Sequence, residues 1–85
     1  MRNVVFKGDA LSHFIYWIHN DKKIADKIYT LIKDIDRNGA AKGIGKPERL
    51  KYFDGWSRRI TDEHRLIYSV DDDNIYLISC KGHYE

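Results

Sequence analysis

A carboxylate among cations, a cluster of arginines and a histidine–tyrosine pair are the residues of this chain best suited to chemistry. Glu48 stands between Lys46 and Arg49, Arg58-Arg59 and Arg65 follow, and His83-Tyr84 precede only Glu85. Cutting a ribose-phosphate strand without a metal needs such side chains. A base must take the proton from the 2′-hydroxyl, and an acid must protonate the departing 5′-oxygen. Cations must hold the phosphate and stabilise the charge that builds on its oxygens. A glutamate, a histidine, arginines or lysines and aromatic rings to position the bases fill those needs. Spacing alone does not bring them together, and each has a plainer reading. Glu48 in a basic loop is by default a solvated ion-pair partner, Arg65 a brace for Asp62 or Glu63, and His83-Tyr84 a tail.

The elements decide whether these residues meet. Asn3 to Phe6 read as a first strand closed by Gly8. Asp9 offers an N-cap, and Leu11, Phe14, Ile15 and Ile18 follow at helical spacing as a core stripe. Asn20 or Asp21 caps a second helix whose apolar positions are Ile24, Ile28, Leu31, Ile32 and Ile35; its lysines form a wet face and Gly39 ends it. So short a link predicts an antiparallel helical hairpin. Residues 39–48 hold Gly39, Gly43, Gly45 and Pro47 and read as a loop. Tyr52-Phe53, the turn Asp54-Gly55 and Trp56 to Ile60 read as a hairpin with positive φ at the turn. His64 to Val70 and Ile75 to Cys80 complete the strands. The order β-αα-ββββ predicts an α+β fold, a mostly antiparallel sheet with the helical hairpin on one face. Arg65 then points to the free face, because Leu66 and Tyr68 are the core side.

The 85 residues make one domain over 1–85, with 42% hydrophobic and 13% aromatic residues, which excludes intrinsic disorder. A single cysteine, Cys80, permits no internal disulfide, and no apolar run reaches membrane-spanning length, so a cytoplasmic protein with no membrane partner is expected. The net charge of +2 says little, but Lys42 to Arg65 carry seven basic residues (Lys42, Lys46, Arg49, Lys51, Arg58, Arg59, Arg65) against four acids. That local field attracts polyanions. His13, His19 and His64 have no ligand spacing with one another or with Cys80, so neither metal nor cofactor is expected. Trp17 and Tyr16 are read as core or dimer surface, Trp56 as packing over the sheet end, and Cys80 as a buried strand residue.

Four stretches in order carry a family resemblance: Gly45-Lys46-Pro47-Glu48-Arg49-Leu50-Lys51, Trp56 to Thr61, Glu63 to Tyr68, and His83-Tyr84. Together they resemble the YoeB-type toxins of the RelE/ParE superfamily, and the likeness covers nearly the whole chain. It implies an endoribonuclease that cleaves mRNA in the A site of the 70S ribosome, silenced by a YefM-type antitoxin whose C-terminal segment wraps it. A homodimer is implied in the same way. On motif position Glu48 would be the general base, His83 the general acid, Arg65 the stabiliser of the transition state and Tyr84 the group orienting the scissile nucleotide. Lys46, Lys51, Arg58 and Arg59 would hold RNA phosphate. Two departures stand out: Arg49 replaces a proline usual after the motif glutamate, adding a cation beside Glu48, and Glu85 extends the end. Positive charge around the site also disfavours charging His83, so free RNA is expected to be a poor substrate. Two other functions compete: a ParE-like inhibitor of gyrase, which needs no acid–base set, and an RNA- or ribosome-binding module that does not cut.

Overall fold

The computed structural model describes residues 1–82. Its helical hairpin consists of α1 (Ala10–Asn20) and α2 (Lys22–Asn38), joined through Asp21 alone. Asp21 is extended (φ −158°) and reverses the chain: its N–H donates to the Trp17 carbonyl, and its own carbonyl accepts from Ile24 and Ala25. Asp9 and Asp21 occupy the N-cap positions without a side-chain cap bond. Gly39 caps α2 at φ 87°, its N–H on the Ile35 carbonyl at 2.8 Å. The stripe read on α2 is buried at Ile28, Leu31, Ile32 and Ile35, with Ala25 joining it and Ile24 half-buried.

The stripe read on α1 is corrected. Leu11, Ile15 and Ile18 are exposed, and the helix buries Ala10 and Trp17 instead, with Phe14 between them. α1 carries apolar residues on two faces. The sheet takes the one that also bears His13 and Trp17, whose polar nitrogens find partners on the chain end (below).

Five strands form one sheet in the order β1-β5-β4-β3-β2: β1 (Asn3–Phe6), β2 (Glu48–Arg49), β3 (Trp56–Arg59), β4 (Arg65–Val70) and β5 (Asn74–Ser79). β2, β3, β4 and β5 pair antiparallel in sequence, while β1 lies parallel beside β5, Asn3 opposite Asn74. The mixed sheet with a helical hairpin on one face is the α+β fold expected, with the parallel pair as its added feature. The first hairpin is wider than read. Glu48–Arg49, not Tyr52-Phe53, pairs with β3, and 50–55 is a loop closed by the Leu50 N–H on the Gly55 carbonyl at 3.0 Å. Nor does Gly55 adopt positive φ. It is needed for closeness: a Cβ there would lie 2.8 Å from the Tyr68 carbonyl.

Between the layers Ile28, Leu31 and Ile35 share one core with Leu66, Tyr68, Ile75 and Leu77, all essentially inaccessible, and Trp56 packs at its edge. Burying each such aliphatic side chain contributes about 1.5–3 kcal/mol. The helices therefore occupy one face of the sheet, and the other carries Glu48, Arg59 and Arg65 together with the buried Ser57 and Ile67.

Candidate active site

Strand alternation sorts the charged residues before any contact is considered. On β3 the side chains of Trp56 and Arg58 turn inward with Ile60, and Ser57 and Arg59 turn outward. On β4 Leu66 and Tyr68 are inward, so Arg65 and Ile67 are outward, as read from the sequence. Cross-strand partners share a face. Glu48 opposes Ser57, Ser57 opposes Ile67, and Arg59 opposes Arg65, which collects Glu48, Arg59 and Arg65 on the face away from the helices. There Arg65 Nη1 donates to Glu48 Oε1 at 3.3 Å. The Arg65 side chain is 17% exposed and the Glu48 side chain 65%, so the carboxylate is open while the guanidinium is recessed behind it. An exposed ion pair of this kind contributes about 0–1 kcal/mol.

Arg49 follows Glu48 and therefore turns to the other side of β2. Its guanidinium bonds Asp54 at 2.8 Å and lies 5.8 Å from the centre of the Trp56 ring. Arg49 is thus directed to the loop it anchors, not to the Glu48 carboxylate. Lys46 is exposed and takes a left-handed backbone (φ 52°), unusual for a lysine and costing about 1–2 kcal/mol. Lys51 is exposed on the 50–55 loop, and Arg59 is exposed with Asp62 4.0 Å away.

Arg58 is removed from the phosphate-binding set. Its side chain is completely buried, and each of its five N–H donors has a protein acceptor. Nε donates to the Tyr68 hydroxyl (2.9 Å). Nη1 donates to the Asp34 carboxylate and the Ile44 carbonyl (3.0 Å). Nη2 donates to the carbonyls of Gly39 (2.9 Å) and Lys42 (2.7 Å). A guanidinium so enclosed has neither surface nor donor for RNA. It gathers the irregular segment 39–45 onto α2 and the sheet. Burial opposes charge on Asp34, but bonds from Arg58, the Ile44 N–H and Asn38 outweigh it and hold the carboxyl below its ordinary value. Burial pushes the Tyr68 hydroxyl up, keeping it a donor to the Ala40 carbonyl at 2.6 Å. Gly43 passes so close over this pair that a Cβ would overlap Asp34 Oδ2. The inward side of β3 was legible as the alternation Trp56, Arg58, Ile60; the charge on Arg58 obscured it.

Segment 80–82 is tied to α1 and to the start of β4. Cys80 is fully enclosed by α1: its N–H donates to His13 Nδ1 (3.2 Å), its carbonyl accepts from Trp17 Nε1 (2.8 Å), and its thiol lies 3.8 Å from the Ala10 carbonyl. Burial pushes that thiol up to about 12, so it stays protonated. Gly82 then bonds the start of β4, its N–H to His64 Nδ1 (2.8 Å) and its carbonyl to the Arg65 N–H (3.1 Å). His83 and Tyr84, the acid and the orienting ring of the sequence reading, lie outside the described residues. Of the predicted residues Glu48, Arg59 and Arg65 share a face, and Lys46 and Lys51 stand on the segments flanking β2. His64, His13 and Trp17 were not anticipated in any site; their only signal was polar nitrogen on otherwise apolar surfaces.

Comparison with known proteins bears on this arrangement. Residues 6–84 match the model of a family described as "YoeB-like toxin of bacterial type II toxin-antitoxin system". Toxin YoeB of Escherichia coli K12 is 45% identical over 83 residues, covering 95% of this chain and 98% of that protein. The YoeB dimer structure from Staphylococcus aureus superposes with a TM-score of 0.93 at 52% identity over 98% of both chains. A chain of the heterotetrameric YoeB-YefM toxin–antitoxin complex from Staphylococcus aureus gives 0.91 at 51% over 99% of both.

Proposed function

This chain belongs to the YoeB-like toxins of bacterial type II toxin–antitoxin systems, and from that membership we propose that it is a ribosome-dependent endoribonuclease that cuts mRNA in the A site. The observation that carries the reading is the Glu48–Arg65 pair: an open carboxylate against a recessed guanidinium, with Arg59 beside it and the Gly82 carbonyl bonded to the Arg65 N–H.

In the proposed reaction a phosphate of the message enters between Lys46, Arg59 and Arg65 and draws Arg65 from Glu48. The freed Glu48 carboxylate takes the proton of the ribose 2′-hydroxyl. The 2′-oxygen attacks phosphorus, the bond from phosphorus to the 5′-oxygen breaks, and His83 protonates the departing oxygen. Arg65 stabilises the charge on the equatorial oxygens, Lys51 adds to the field that holds the strand, and Tyr84 orients the scissile nucleotide. The products are a 2′,3′-cyclic phosphate and a 5′-hydroxyl. Protein groups supply every proton transfer in this scheme, so it uses no metal. Its site of action is the cytoplasm; among the described residues no helix is long and apolar enough to cross a membrane. The Staphylococcus aureus YoeB-YefM complex and YoeB dimer support a YefM-type antitoxin as its partner and a homodimer as its assembly with itself, and in this reading the antitoxin silences it.

Primer extension on a message under translation in a purified system tests the reading, with wild type, Glu48→Gln, Arg65→Ala, His83→Ala, and wild type without ribosomes. Cuts at codons that require ribosomes and fade at least a hundredfold in the variants are expected. Translation arrested without cuts would overturn the nuclease in favour of passive ribosome binding, and supercoiling defects without cuts would favour gyrase.

A further inference from the structure

The segment 80–82 is bound with more care than a chain end requires. Five hydrogen bonds hold its backbone: the Ser79 hydroxyl donates to the Lys81 carbonyl, the Arg65 N–H to the Gly82 carbonyl, and three use side chains from elsewhere in the fold, His13, Trp17 and His64. Because both imidazoles accept a backbone N–H at Nδ1, each is a neutral ring carrying its proton on Nε2. The His64 ring is itself held in place. Trp17 meets it edge-on with centroids 4.7 Å apart, and its own N–H and carbonyl are tied into the turn, to Thr61 Oγ1 and to Ile60. The chain therefore runs α1, Trp17, His64, Gly82. His83 is joined covalently to the Gly82 carbonyl carbon, whose oxygen accepts from Arg65.

We propose that His64 is a positioning residue for the reaction: its Nδ1 fixes Gly82, and so sets where the acid His83 is attached relative to Arg65 and Glu48. This rests on the reading of His83 as the acid. Misplacing a catalytic group by about 1 Å costs on the order of a hundredfold in rate, so a single accepting atom at the attachment point matters.

Asparagine and glutamine separate this role from mere packing. Asn carries its acceptor at the position of imidazole Nδ1, whereas Gln carries it one bond further out. Single-turnover cleavage on programmed ribosomes would compare His64→Asn, His64→Gln, His64→Leu and His83→Ala, varying toxin concentration. His64→Leu and His64→Gln are expected to cut 10- to 100-fold more slowly at saturation, with half-saturation unchanged within twofold. His64→Asn should recover most of the rate. Amide exchange read by NMR should show Gly82 protected in wild type and His64→Asn and unprotected in the other two. Gln and Asn variants of equal rate, or a His64→Leu enzyme as fast as wild type beside an inactive His83→Ala, would overturn the positioning role alone. A fully active His83→Ala would overturn the acid itself and the role with it. If His64→Leu does not fold, the Gln–Asn contrast decides.

Discussion

Arg58 shows how far residue type can mislead about place. Its charge suits RNA, yet its five donors end on Asp34, Tyr68 and three carbonyls of segment 39–45. Removing the carboxylate leaves a fully buried cation without a counter-charge. Asp34→Ala is therefore expected to destabilise by about 3–5 kcal/mol, read as a shift in urea midpoint, while Asp54→Ala, which breaks the exposed pair with Arg49, changes it by under about 0.5 kcal/mol. His13 gives a pH dependence. Burial is the main cause of its lowered pKa, with Lys81 adding to it and Asp9 opposing. Below the ordinary 6.5 the unfolded chain binds a proton that the folded one resists. The contribution is thus fully present above that value and lost as pH falls from 6.5 toward the folded pKa. Urea midpoints should drop from pH 7.5 to pH 5, and His13→Asn, which keeps an acceptor at the Nδ1 position, should flatten that part of the drop; an unchanged slope would refute the assignment.

At the scale of elements, α1 is the sharpest case. Ile18→Ser on its exposed side should alter stability by no more than about 0.5 kcal/mol, whereas Trp17→Ala should cost about 3–5 kcal/mol, because it also strands the Cys80 carbonyl. Equal effects in thermal melts would restore the stripe read from the sequence. α2 and β5 were legible because each buries one face of regular period, and β4 because its side chains alternate, although Ile67 on its outward side is buried as well. α1 was not, since Leu11-Ile15-Ile18 and Ala10-Phe14-Trp17 are both helical stripes and periodicity does not choose between them. β2 was missed because two residues carry no period, and its existence depends on β3 beside it. Of the candidate site, only the outward side of Arg65 was read from strand alternation; Glu48 and Arg59 were singled out by residue type and family motif, and the pairing of β2 with β3 and of β3 with β4 puts them on its face. The role of Arg58 and the hold of His13, Trp17 and His64 on the chain end arise from contacts 10 to 67 residues apart, which no local pattern encodes.

Taken whole, the molecule separates its charge along β4. Arg65 starts that strand, and the acidic turn Asp71-Asp72-Asp73 follows its end, roughly 20 Å away at about 3.4 Å per residue. A net charge of +2 hides this polarity, and on the proposed function the Arg65 end is the one that meets the nucleic acid backbone. For a short RNA blocked by a 2′-deoxy group at the scissile position, Lys46→Ala and Arg59→Ala should each reduce the slope of log affinity against log salt by about 0.7. An unchanged slope for either would remove that residue from the interface. The parallel seat of β1 on β5 acts on a longer scale. Asn3 finds its sheet neighbour only when Asn74 has been made, so the first strand stays unpaired while the helices and the strands between are synthesised, and the loop it closes is the longest in the sheet. A nascent copy is thus an unfinished sheet. The protein whose proposed target is the translating ribosome thus leaves its own first strand without a sheet neighbour until β5 has been made.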